Sequence, residues 1–143
     1  MIPFLLKAGK VCFILVATIS IVHLGLTANP VLASDMTVVT ISGRVAGGTL
    51  QVGAHALGTA SSLTGLGFDS PIPGHPKGYC RISLTGFLSG SVVTLSGAVI
   101  FSTVPSFVGT PVTFIGNAST GAITFNFGGT ILTGTGSVVI ASP

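Results

Sequence analysis

Asp69, His75 and Cys80 supply the carboxylate, imidazole and thiol that nucleophilic catalysis uses, and His55 offers a second base. A cysteine attacks as its thiolate, so the chemistry needs a base beside the sulfur and a third group to orient that base. The spacing here follows no motif with a known mechanism, and a chance grouping of these residue types is the plainer reading. The same side chains are a weak metal set. Zinc takes three or four ligands. His55, His75 and Cys80 would make three, but the close ligand pairing typical of such sites is missing, and His55 stands alone between Ala54 and Ala56. Calcium needs more carboxylates than Asp35 and Asp69 provide. Glycoside hydrolysis usually takes two carboxylates, and Asp35 lies beside a predicted processing point. Gly128-Gly129 and Gly134-Thr135-Gly136 lack the lysine and following helix of a phosphate-binding loop. Asn117-Ala118-Ser119 is a formal N-glycosylation acceptor. The expectation is a protein that is not an enzyme and holds neither cofactor nor metal.

The N-terminal third carries a different kind of signal. Lys7 and Lys10 are followed by an apolar run over residues 11–26, then by Pro30 and by Val31-Leu32-Ala33. Charge, apolar run and small-residue exit in that order define a secretory signal peptide, expected over residues 1–33 with its run as a hydrophobic helix. An uncleaved anchor is the rival, but a spanning helix needs about 20 apolar residues and this run is shorter. Membrane contact is therefore expected only through this segment, if it is kept. The protein is expected to be secreted or displayed at the cell surface, with residues 34–143 as one domain.

Charge is scarce in that domain. The whole chain has five Lys and Arg against two acidic residues, a formal net charge of +3, and is 5% charged. An average domain is about 25% charged. Removing Lys7 and Lys10 with the signal lowers the net charge from +3 to +1. No basic patch remains to neutralise phosphates, so nucleic acid is excluded as a partner. A surface with little charge repels its own copies weakly, which favours association. Cys12 leaves with the signal, so Cys80 is the lone cysteine of the domain. Such a cysteine in an oxidising compartment suggests an intermolecular disulfide or a free thiol, and a buried, inert thiol is the simpler alternative.

The elements that would position these residues are strands. Val39, Ile41, Gly43 and Val45 alternate with Thr40, Ser42 and Arg44; Val93 and Leu95 alternate with polar neighbours; so do Ile123, Phe125 and Phe127. A period of two in β-branched and aromatic runs marks half-buried strands. Ala46-Gly47-Gly48, Ser89-Gly90-Ser91, Ser119-Thr120-Gly121 and Phe127-Gly128-Gly129 punctuate the runs as hairpin turns. A last strand is expected over 137–141. The predicted fold is all-β, an antiparallel β-sandwich or small barrel built from hairpins. Its core should draw on Val39, Ile41, Leu84, Leu95, Phe114, Phe125, Phe127 and Val139, among others.

Residues 59–78 break the alternation with Pro71, Pro73 and Pro76 and four glycines. This reads as a long loop, and loops of that length are usually functional or disordered. Asp69, His75, Lys77, Tyr79 and Arg81 in or beside it are the candidate binding residues, because aromatic and Arg side chains carry much interface energy. A second loop over 106–110 is apolar enough, through Phe107 and Val108, to fold back over the core.

Two functions follow. One is a structural or surface-assembly protein whose uncharged strand edges pair with a second copy or another surface protein. The other is an extracellular binding module that presents the 59–78 loop to a ligand or cell-surface partner. Residues 37–45 would suit a donated strand. The run from Val39 to Thr49, VTISGRVAGGT, resembles the N-terminal strand and turn of bacterial chaperone–usher pilins. It departs from them at Leu50, where their first cysteine is expected, and in lacking an aromatic residue near Pro143.

Overall fold

A computed structural model describes residues 35–71 and 78–142. The signal segment at 1–33, and with it the expected cleavage, lies outside these residues. Eight strands follow in order: β1 (Thr37–Val45), β2 (Leu50–Thr59), β3 (Ser62–Pro71), β4 (Cys80–Ser89), β5 (Val92–Ser102), β6 (Pro111–Asn117), β7 (Ala122–Phe127) and β8 (Thr130–Ala141). Each pairs antiparallel with the next, and β8 returns to pair with β1. The result is a closed up-and-down barrel, the small-barrel form of the expected architecture rather than the sandwich.

The four glycine-bearing turns read from the sequence fall between strands β1 and β2, β4 and β5, β6 and β7, and β7 and β8. Closure has a direct consequence for assembly. An exposed edge presents unpaired backbone groups, whereas every described strand has a neighbour on both sides. Residues 37–45 are not a free strand to donate: they lie between β2 and β8 of their own chain. The pilin resemblance therefore does not extend to the architecture.

Eight strands enclose an interior just wide enough for side chains to fill it. Val39, Ile41, Leu84, Leu95, Phe114 and Phe125 point inward and are buried, as the alternation predicts. Threonines and serines share the outer positions with exposed apolar residues such as Leu57, Leu66, Phe87, Ile115 and Ile131. Val139 is a correction. It is half exposed, and Val138 faces the core instead. Two adjacent valines carry no phase of their own; pairing of Val138 with the inward Ile41 decides it.

The expected 59–78 loop is also corrected, because Ser62–Pro71 is a full strand. Its inward positions are Leu63, Gly65, Gly67 and Asp69, while Leu66 and Phe68 lie on the outer wall. The alternation is present but inverted in size. A Cβ on Gly67 would come within 2.8 Å of Leu84 and 3.0 Å of Phe114. Glycine is there because large core side chains fill the space in front of it. Outside, the Phe68 ring lies over Gly53, whose missing side chain leaves room for it.

Candidate functional site

Among the described residues one end of the barrel is open. There the interior continues into a cavity of about 420 Å3 lined by Leu50, Phe107, Phe125, Phe127 and Leu132, with Asp69 and Cys80 on its wall. The strands deliver these residues through simple phase. Asp69 is inward on β3 and pairs with Cys80 at the start of β4, and Cys80 pairs with Ser102 at the end of β5.

Ser102 reaches the interior only because of a bulge. Arg81 pairs with Phe101 and Ile82 with Val99, which leaves Ile100 as an extra residue on β5. Both Ile100 and Phe101 then face outward, and Ser102 is buried. A bulge resets the alternation beyond it and re-aims side chains. The segment after β5 also serves the cavity. Pro105–Phe107 forms a single 3-10 turn, and the Phe107 ring meets Phe127 edge-on at 5.2 Å. Thus Phe107 folds over the barrel end as expected, while Val108 stays exposed.

The polar groups form a short chain inside apolar walls. Cys80 Sγ lies 3.3 Å from Ser102 Oγ, which in turn accepts a hydrogen bond from the Val104 N–H at 3.0 Å. The Cys80 thiol and backbone N–H also reach the Asp69 carboxyl. Burial pushes the Asp69 carboxyl above its usual 3.8, because the charged form loses hydration that the Cys80 hydrogen bonds only partly replace. Burial likewise pushes the Cys80 thiol up to about 11. At neutral pH the sulfur is therefore protonated and a poor nucleophile.

Cys80 is also only 2% exposed and faces the lumen, so it does not present sulfur to a second chain for an intermolecular disulfide. Its reaction with an aromatic disulfide reagent at pH 8 should be at least about 100-fold slower in the native protein than in denaturant, since reactivity follows thiolate content and access. Comparable rates in the two conditions would mean that the barrel opens readily at this end.

The raised Asp69 pKa carries a stability signature. The folded state holds this proton more tightly than the unfolded chain, so stability falls as pH rises from about 3.8 through the folded pKa, then levels off. The variant Asp69→Asn keeps the shape without the charge. It should lack this decline and be the more stable protein at pH 8 in urea unfolding; a flat wild-type profile over the same pH range would contradict the assignment.

The remaining sequence candidates separate. Tyr79 and Arg81 lie on the outer surface, with the Tyr79 ring 6.5 Å from Phe101 and Arg81 between Phe68 and Phe101 in the strand register. His55 is exposed on the outside of β2, 3.2 Å from Thr40 Oγ1. His75 and Lys77 lie outside the described residues. Asp69 and Cys80 are thus brought together, and His55 is kept apart from both by the barrel wall. Leu50, Phe107 and Leu132 were not legible as site residues, since nothing in an apolar side chain's neighbours distinguishes a cavity wall from a packed core. No protein-family model matches the chain, and neither a curated protein nor a solved structure matches it.

Proposed function

We propose that this protein is a secreted, non-enzymatic binding module that takes a small apolar molecule into the open end of its barrel. The observation that carries the reading is the 420 Å3 cavity with aromatic and aliphatic walls and a few convergent polar groups. Ligand sites typically have roughly this size, within about 300–1,000 Å3, and this kind of lining, and barrel mouths are a common place for them. A protonated thiol among hydroxyl and carboxyl groups supports recognition rather than bond making. The ligand site is the barrel lumen, not the outward Tyr79 and Arg81. The test is titration with a neutral naphthalene or anthracene fluorophore. Saturable binding at one site, lost when Leu132→Trp fills the cavity in a protein with unchanged circular dichroism, is the expected result. Absence of saturable binding to the wild-type protein would overturn it.

A second reading, surface assembly, draws on the outer wall. Phe101, Ile100 and Tyr79 are exposed beside Arg81, and aromatic and Arg residues favour protein contacts. Association would then use the wall and not strand edges. Light scattering across a concentration series checks it: particles that survive reductant support assembly, and a monomer at every concentration removes it.

A further inference from the structure

The cavity's one carboxyl says more about what enters. Asp69 is 8% exposed and faces the lumen. The described groups packed around it are uncharged: Val52 is its partner on β2, Cys80 on β4 carries a neutral thiol, Ser102 on β5 a hydroxyl, and β7 and β8 contribute Phe125, Phe127 and Leu132. Among the described residues the cations stand elsewhere, with Arg44, Arg81 and His55 all on the outer face. A carboxylate has about four acceptor positions, and Cys80 supplies at most its N–H and its S–H. The rest look into an apolar cavity in which no described residue supplies a cation.

We propose that the ligand selected by this barrel mouth is a hydrophobic amine, its ammonium paired with the Asp69 carboxylate and its apolar body against Phe125, Phe127 and Phe107. The proposal rests on the binding reading above and names the ligand's chemistry. A carboxylate or phosphate ligand would set like charge against Asp69 with no compensating cation among the described residues. A neutral alcohol would satisfy a hydrogen bond but leave the buried charge unpaired, whereas an ammonium both pairs and hydrogen-bonds it, and charge-assisted bonds are about twice as strong as neutral ones. Binding must also be linked to protons. Below the Asp69 pKa the acid is neutral and has to release its proton for the amine to pair, so amine affinity rises with pH through that pKa. It holds until the amine itself deprotonates.

The test uses three probes of one shape, 1-naphthylmethylamine, 1-naphthylmethanol and 1-naphthoic acid, titrated calorimetrically into protein produced from the full-length chain. At pH 7.5 the amine should bind at least about tenfold more tightly than the alcohol, with the acid weakest. That preference should shrink toward unity at pH 4 and in Asp69→Asn. An alcohol that binds as tightly as the amine, or a preference that persists in the folded Asp69→Asn protein, overturns the amine assignment while leaving the cavity as a binding site. If none of the three binds the wild-type protein, both the assignment and the binding reading fall. The wild-type comparison and its pH dependence decide the matter even if the variant does not fold.

Discussion

Replacing Phe125 with alanine is expected to cost about 3–5 kcal/mol of folding free energy, the usual toll for a buried aromatic ring. Phe125 is fully buried on β7, its ring 4.8 Å from that of Phe114 and 6.1 Å from that of Phe127. Its neighbours cannot close on the gap, because each is tethered to a strand paired on both sides. The whole cavity term is therefore paid alongside the lost transfer energy. Single domains are stable by only about 5–15 kcal/mol, so the midpoint of urea unfolding, followed by far-UV circular dichroism, should drop sharply. The void would also join the existing cavity, which Phe125 already lines. A ligand one ring larger than the wild-type protein accepts should then bind the variant and restore part of its stability. A loss below about 1.5 kcal/mol would show that the ring is not packed as described.

The bulge on β5 governs the second large effect. Ile100 is half exposed and is the extra residue of the β4–β5 pair. Deleting it removes the bulge and leaves Val99, Phe101 and Ser102 facing in, out and in, so Ser102 stays opposite Cys80 and the cost should be only about 1 kcal/mol. Deleting Arg81 from β4 instead reverses the phase, because alternation from Ile82 would turn Cys80 outward and carry Tyr79 into the lumen beside Asp69. That forces a ring into the core, a cost of about 1–3 kcal/mol. It also parts the Cys80 thiol from the Ser102 hydroxyl, worth about 1 kcal/mol. A total loss near about 3 kcal/mol in urea unfolding and abolished probe binding are expected. Arg81→Ala, which keeps the residue count, should change stability by only about 0.5 kcal/mol, as for ordinary surface positions. Equal effects of deleting and substituting Arg81 would show that the residue count on β4 does not set the phase.

These two positions show where reading the chain succeeds. Around Phe125 the pattern Ile123, Phe125, Phe127 is large and apolar on one face and polar on the other, so periodicity alone assigns strand, face and burial. Around Ile100 it fails, because a bulge adds one residue and reverses the phase without any mark in composition. β3 fails for another reason. Gly65 and Gly67 read as loop residues, yet both face inward, Gly65 against the backbone of β2 at His55 and Ala56 and Gly67 opposite Leu84 of β4 and Phe114 of β6. Whether a glycine ends a strand or makes room inside one depends on what packs against it, and that partner is far away in sequence. Asp69 was a candidate from its type alone; its lumen-facing placement was not visible, since its alternation partners Gly65 and Gly67 carry no apolar label.

By itself the sequence determined that this is an all-β antiparallel domain with glycine hairpin turns, a largely uncharged exterior and a core of Val, Ile, Leu and Phe. Those features are local: a period of two and turn chemistry act over a few residues, and the hydrophobic effect reads each side chain directly. Only the tertiary structure decided that β8 closes on β1, that no described edge is left open, and that Asp69 and Cys80 share an apolar cavity while Tyr79 and Arg81 stand outside it. Closure, register and the bulge are set by pairing between strands distant in the chain. A one-residue change in any of them exchanges inside for outside.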